Sequence, residues 1–436
     1  MSTTTRPSSG TRGTAVLSIV PGLATAPPNA VTEMALTANE LYEEALTRFE
    51  AGDLAGAIQR MQESLAKGAA STERWNTLGN LLAHAQRFNE AASAFRRALG
   101  RSPRSASIWN NLGAVLLRDQ HVVGAECAFR RAISLQESFH EAHQNLALLL
   151  DGRGDTLEAA RHHCLAFVHG PRAGKTPAML GTAYYHLGQF EEAARVYRDW
   201  VLAEPENPVA RHRLAACLNE DVPTRGSDDF VEQSFDAFAP HFDDHLAGLA
   251  YCGPETVAAA VARVRPVDAS ARILDVGCGT GLCGTVLRPL AAQLDGVDLS
   301  SGMLDRARVR GCYDRLEKVE LTGFLESCRS AYDVVVAADT FNYFGDLAPV
   351  FRAAAQALEA DGHLVFTIED GREACPEQGW CLAVHGRYLH APATIEAWLQ
   401  AAGFAVHHAR PLALRRELGQ DVAAVVYTAQ RVGHGR

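Results

Sequence analysis

The stretch Arg272–Gly284, RILDVGCGTGLCG, decides the fold. It is an apolar run that stops abruptly in four glycines, so it reads as a buried strand feeding a turn. Gly277, Gly279 and Gly281 permit positive φ and let backbone N–H groups approach a ligand with no Cβ in the way. A G-x-G turn alone is a weak signal, because dinucleotide sites also begin with one. Two carboxylates separate the options. Asp275 sits inside the strand end, where dinucleotide folds usually carry another apolar residue. Asp298, in GVDLS, ends the next strand 23 residues on, where a carboxylate can accept both hydroxyls of a ribose.

Outward from that loop, apolar runs alternate with helical stretches: ARILDVG, AQLDGVDLS, KVELTG, YDVVVAADT and GHLVFTIED. This alternation predicts a parallel sheet flanked by helices. FAVHHARPLAL and QDVAAVVYTAQ would close it as a final hairpin. Taken together, LDVGCGTG, GVDLSSGMLDRAR and YDVVVAADTFNYFGDL resemble the class I S-adenosylmethionine-dependent methyltransferases over about 228–432. The resemblance implies a Rossmann-like α/β domain that uses S-adenosyl-L-methionine. It implies that Gly277 and Gly279 approach the methionyl part, that Gly281 belongs to the same cofactor-binding loop, and that Asp298 binds the ribose. Asp275 would hold the amino group, directly or through water, and Met303 would pack on the adenine. Glu320 stands where the family often has an Asp that contacts the adenine amino group. Asp339 would lie beside the methyl donor.

The half before this domain repeats itself with a period of 34 residues, the tetratricopeptide period. RWNTLGNLLAHAQRFNEAASAFRRALGRSP aligns with IWNNLGAVLLRDQHVVGAECAFRRAISLQE, so Trp75 matches Trp109, Gly79 matches Gly113 and Phe95 matches Phe129. Repeats start at 38, 72, 106, 140 and 174, with a capping helix from 208. The position where the two helices of one repeat touch reads Ala57, Ala91, Ala125, Ala159, Ala193, because a larger side chain would push the pair apart. The resemblance is to the tetratricopeptide repeat family, over about 38–222. It implies an all-α superhelix with a concave groove. Asn76, Asn80, Asn111 and Asn145 fall on the groove face, similar to the asparagine ladder of the O-GlcNAc transferase repeats. An amide offers donor and acceptor together, so these residues are the candidate site for a peptide or protein partner.

Residues 1–37 are rich in Ser, Thr, Pro, Gly and Ala and read as a disordered tail. The net charge of −10 gives no general attraction to nucleic acid or to anionic membrane. No apolar run approaches the roughly 20 residues a membrane helix needs. The ten cysteines are scattered without a C-x-x-C pair, which predicts reduced thiols in a cytoplasmic protein and no disulfide frame. His162-His163 and His407-His408 lack companions for a metal site.

Methyl transfer needs a dry site. FVEQSFDAFAPHFDDHL, with Phe230, Phe235, Phe238 and Phe242 near helical spacing and a break at Pro240, predicts an interrupted amphipathic helix, and the resemblance to class I methyltransferases implies that it covers the cofactor. A general base is needed only for a poorly nucleophilic acceptor. The candidates are Tyr343, His385 and His390, with Asn342 and Tyr388 beside them. The acceptor is either on a peptide or protein recruited by the repeats or on a small molecule. A third reading, a scaffold that has lost its chemistry, conflicts with the intact Asp275, Gly277, Gly279 and Asp298.

Overall fold

The computed structural model describes residues 36–68, 70–265, 270–375, 379–417 and 419–432. The predicted tail therefore lies almost wholly outside the described residues. The chain divides into two compact units, Met1–Lys175 and Thr176–Arg436.

The first unit is four antiparallel helix pairs. They are α1 (Ala38–Glu50) with α2 (Leu54–Lys67), α3 (Thr72–His84) with α4 (Phe88–Leu99), α5 (Ala106–Arg118) with α6 (Val122–Leu135), and α7 (His140–Arg153) with α8 (Thr156–His169). Caps start several of them: Thr37 forms a capping box with Glu40, and the Asp53 and Ser71 side chains accept backbone N–H groups of the next turn. The repeat pattern has a direct steric cause. A Cβ on Gly79 would come 2.5 Å from the Phe95 ring, and one on Gly113 2.6 Å from the Phe129 ring. Both phenylalanines are fully buried, each worth about 1.5–3 kcal/mol of transfer free energy. Ala57, Ala91, Ala125 and Ala159 are likewise fully covered.

The second unit begins with α9 (Pro177–His186), α10 (Phe190–Ala203) and α11 (Pro208–Leu218). These keep the repeat pattern, since a Cβ on Gly181 would meet Tyr197 at 2.2 Å. Next come α12 (Asp228–Phe238), α13 (Phe242–Gly248) and α14 (Gly253–Val264). The α/β part follows as β1 (Ala271–Val276), α15 (Leu282–Leu287), β2 (Ala291–Asp298), α16 (Ser301–Arg310), β3 (Arg315–Lys318), α17 (Leu321–Ser327), β4 (Tyr332–Ala337), α18 (Ala348–Ala357) and β5 (Leu358–Glu369). A small hairpin, β6 (Trp380–Leu382) and β7 (Tyr388–His390), precedes α19 (Pro392–Ala401), β8 (Phe404–Glu417) and β9 (Gln420–Arg431).

The main sheet has the order β3-β2-β1-β4-β5-β9-β8. Its first five strands are parallel, β9 is antiparallel to β5, and β8, antiparallel to β9, runs again in the common direction at the edge. Both faces are covered, which is why the strands read as unbroken apolar runs. Leu274, Val335 and Phe366 pack with α17 and α18, while Ile273, Val334 and Val365 pack with α14. Strand order reverses between β1 and β4, and a crevice at the carboxyl ends of the strands is expected there.

Two readings need correction. Cys375 and Cys381 form a disulfide, with Cα atoms 5.5 Å apart. Gly371 donates to the His390 carbonyl of β7, which sets Cys375 beside Cys381 of the paired β6 although their spacing is not C-x-x-C; the other described cysteines are free. The third strand ends at Lys318 rather than spanning KVELTG, because Glu320 caps α17 and draws the chain into a helix. No described helix is long and apolar enough to cross a membrane.

Candidate active site

The glycine loop leaves β1 at its carboxyl end. Gly277, Gly279 and Gly281 all have positive φ, at 71°, 53° and 85°. The Gly277 and Cys278 N–H groups both donate to the Val297 carbonyl, at 2.8 and 3.0 Å, which ties the loop to β2. A Cβ on Gly277 would strike Thr340 at 2.3 Å, whereas one on Gly279 would meet nothing within 4 Å. Gly279 thus borders open space that a ligand can enter. Asp298 reinforces the loop: its two oxygens accept N–H bonds from Gly279 at 2.9 Å and Ser300 at 2.8 Å. Asp275 is buried, and Tyr313 donates to its Oδ2 at 2.7 Å. Burial raises the Asp275 pKa to about 7, the Tyr313 bond working against the rise. These groups fit S-adenosylmethionine: an open glycine edge, a carboxylate at the end of β2, and a buried carboxylate with one free oxygen for an ammonium.

The aromatic helix covers this loop. It is α12 and α13 with a 3₁₀ turn at Ala239–His241, so Pro240 interrupts it as expected. Asp236 of α12 accepts bonds from the Ser300 hydroxyl at 2.5 Å and the Gly302 N–H at 2.9 Å, both at the start of α16. Asp243 of α13 accepts from Thr280 at 2.6 Å and from Arg310 at 2.5 Å. Phe235 stands edge-on to Tyr343, with ring centres 5.3 Å apart.

Beyond the loop lies a charged cluster at the carboxyl ends of β4, β5 and β8. Arg415, only 3% exposed, donates to Asp339 at 2.7 Å, to Glu417 at 2.7 Å and to Glu369. Arg387 donates to Glu369 at 2.6 Å and to Glu417 at 2.8 Å. Asn342 donates to the other Asp339 oxygen and accepts the Glu369 N–H at 3.0 Å. Asp339 has positive φ, 58°, a conformation that Asp tolerates better than most residues. Burial raises the Asp339 and Tyr251 pKa values and lifts Tyr343 to about 12. All three nevertheless keep accessible surface.

The structure thus brings Asp275, Gly277, Gly279, Gly281, Asp298, Asp339 and Tyr343 to one region. Met303 is buried in the first turn of α16. Glu320 accepts the Thr322 and Gly323 N–H groups, at 3.0 and 2.9 Å, so its carboxylate is already engaged as a helix cap. His385 lies beside Glu369, 3.4 Å from Nε2 to Oε2. Its Nδ1 accepts the Arg387 N–H at 3.2 Å, so Nε2 carries the proton and no lone pair is left for a base. Burial lowers its pKa to about 4. His390 is wholly covered, and its Nε2 donates to the Gly345 carbonyl at 3.1 Å; it belongs to the core and reaches no recess.

The groove asparagines also differ from expectation. Asn80, Asn111 and Asn145 are at most 9% exposed. Asn111 donates to Asn80 at 3.3 Å, and Asn145 donates to Asn110 at 3.0 Å. The amides pair with each other across adjacent helices. Asn76, the more exposed member, lies 3.5 Å from Asn111.

Sequence reading missed Tyr251, Tyr313, Glu369, Arg387, Arg415 and Glu417. One signal was available for one of them: Glu369 ends the buried apolar run LVFTI of β5, and a charge there needs a partner.

Comparison with known proteins agrees with this geometry. Residues 250–409 match the family model described as a methyltransferase domain, and 42–105 and 76–138 match a tetratricopeptide repeat model. The chain is 44% identical over 84 residues to human methyltransferase-like protein 27, covering 19% of this chain and 34% of that protein. It is 26% identical over 179 residues to the ubiquinone biosynthesis O-methyltransferase of Nitrosococcus oceani, covering 35% of this chain and 74% of that one. The chain therefore spans only about a third of the human relative. A solved S-adenosylmethionine-dependent methyltransferase from Mesorhizobium loti aligns with 23% identity and a TM-score of 0.34, over 41% of this chain and 100% of its own. The chain thus carries tetratricopeptide repeats at 42–138 and, at 250–409, a class I methyltransferase domain of the kind that takes S-adenosylmethionine.

Proposed function

We propose that the chain transfers a methyl group from S-adenosylmethionine to a small-molecule acceptor bound in the recess beside Asp339, and that the repeats of the first unit dock a protein partner. The observation that carries the acceptor reading is the cover over this place: Asp339 and Tyr343 are only partly exposed, and Phe235 of α12 stands edge-on to Tyr343 with ring centres 5.3 Å apart. A folded protein surface reaches such a place poorly, and a small molecule reaches it well. Asn80, Asn111 and Asn145 are buried and bonded to neighbouring amides, with Asn145 Oδ1 enclosed and unpartnered among the described residues, so a peptide main chain has little access to them. The free thiols of eight cysteines favour a cytoplasmic setting, the Cys375–Cys381 disulfide notwithstanding.

The cofactor supplies a methyl group activated by a sulfonium, so the protein's task is alignment and exclusion of water. Asp298 and the glycine loop hold the ribose and the methionyl end, and Asp275 takes the ammonium. The α12–α13 cover keeps water out, which favours a step in which charge disperses. The engaged Nδ1 of His385 argues that no histidine base acts, so the acceptor atom arrives already nucleophilic. The test is turnover. Incubation of the full chain with labelled S-adenosylmethionine and a cell extract split by size should place label in the small-molecule fraction. Label confined to protein would reverse the acceptor reading.

A further inference from the structure

Hydrogen-bond capacity in the charged cluster is unevenly spent. Both oxygens of Asp339 and both of Glu417 accept bonds from Arg415, Arg387 or Asn342, and Glu369 accepts from Arg387 and Arg415 while facing His385. The acceptors are used. Donors are not. Arg387 spends Nε and Nη2 on the two glutamates, and neither its Nη1 nor the hydroxyl of Tyr185 or Tyr343 is bonded to a described residue. Arg213 of α11 forms no ion pair with a described residue. It lies against the turn that carries Arg387, donating to the His385 carbonyl at 2.6 Å, and a Cβ on Gly386 would sit 3.0 Å from its Nη1. Tyr185 of α9 and Tyr343 both lie within the field of Arg387 and Arg213, and of carboxylates as well, Glu417 and Glu369 at Tyr185 and Asp339 at Tyr343. A half-buried guanidinium without a counter-ion beside a donor-rich recess is an arrangement that an anionic ligand completes.

We propose that Arg213 and Arg387, with the hydroxyls of Tyr185 and Tyr343, form the anchoring site for a carboxylate carried by the methyl acceptor. This inference rests on the methyltransferase reading and names its substrate class. Asp339, Glu369 and Glu417 are bonded by Arg387 and Arg415, which leaves Arg213 as the one guanidinium of the group with no carboxylate on it among the described residues. A single negative charge spread over two oxygens therefore fits better than a dianionic phosphate. The site also gives α9 and α11 a role: they supply two of the four anchoring groups. The turn they contact is braced by His212, whose Nε2 donates to the Gly386 carbonyl at 2.9 Å while its ring stacks on Phe230 of the cofactor cover, centres 3.8 Å apart.

The experiment is calorimetry on the full chain in two stages. S-adenosylhomocysteine is titrated first; no binding there removes the methyltransferase reading and this site with it. With that ligand saturating, aromatic and aliphatic hydroxycarboxylates are titrated beside the amide, the amine and the phosphate ester of each skeleton. The carboxylates should bind roughly ten- to a hundredfold tighter than the matched amides. Arg213→Met should remove that preference and Arg213→Lys should restore part of it, both with S-adenosylhomocysteine affinity retained as the check on folding. Tyr185→Phe, which leaves the α11 brace intact, should weaken the carboxylates severalfold. Binding of amides, amines or phosphate esters as tight as that of the carboxylates overturns the proposal. So does a carboxylate series that does not bind, or a preference that survives in Arg213→Met.

Discussion

The phenol of Tyr313 donates a 2.7 Å hydrogen bond to Asp275, and the two side chains share a buried site at the end of β1. The bond favours the ionised carboxylate, while burial favours the neutral one and prevails, so the Asp275 pKa stands near 7. A ligand ammonium needs the ionised form.

Cofactor affinity should therefore rise with pH as Asp275 ionises, by up to about tenfold per unit below pH 7. Tyr313→Phe removes the bond that opposes the rise, so the same profile should move to higher pH. The sign for stability is opposite. A carboxyl whose folded pKa is raised contributes stability that is complete below its unfolded value of 3.8 and is lost as pH rises through about 7. Calorimetric titration of S-adenosylhomocysteine from pH 5.5 to 8.5 checks the affinity. A flat profile would mean that Asp275 does not meet the ammonium.

Arg415 holds three carboxylates from a place only 3% exposed. Arg415→Met should cost about 3–5 kcal/mol, because it leaves buried charges without a partner. Burial opposes the ionisation of Glu417, but Arg387 and Arg415 overcome it and lower its pKa to about 2. A depressed carboxylate contributes stability present above 4.5 and lost as pH falls towards 2. Urea titrations between pH 5 and 2.5 should show wild-type stability falling across that window, with a smaller fall in Arg415→Met. Equal pH slopes would mean the cluster is not ionised as drawn.

Asn145 and Asn110 are each 1% exposed and bonded to each other. Asn145→Ala leaves the buried Asn110 oxygen without a donor, so the first unit should lose about 1–3 kcal/mol. The half-buried Asn76, which has only a long 3.5 Å bond from Asn111, is the contrast, where Ala should cost less than about 1 kcal/mol. Thermal melts of the two variants decide it; equal melting temperatures would place Asn145 in a solvated groove after all.

Much of the architecture was legible because it follows from period and sterics. A glycine opposite an aromatic ring at one offset in successive repeats, as Gly79 to Phe95 and Gly113 to Phe129, can be read from letters alone. So can the strand, glycine loop and acid of Asp275, Gly277 and Asp298, because close backbone approach leaves few residue choices. The acceptor side could not be read. Arg213, Glu369, Arg387 and Arg415 lie up to 202 positions apart, on elements whose meeting depends on the antiparallel β8–β9 hairpin and the β6–β7 turn. Histidines were the reverse case. His385 and His390 look reactive in sequence, but an engaged Nδ1 and complete burial take them out of base chemistry.

The most direct measurement is titration of the full chain and of Asp298→Ala with S-adenosylmethionine at pH 8. The account predicts wild-type binding on the micromolar scale, roughly −8 kcal/mol. Asp298→Ala should bind about 1.5–3 kcal/mol more weakly, losing a charged acceptor for the ribose hydroxyls. It should also melt lower without ligand, since the same carboxylate holds the Gly279 and Ser300 N–H groups. A folded wild-type chain that gives no binding heat, or an Asp298→Ala variant of unchanged affinity, would contradict it.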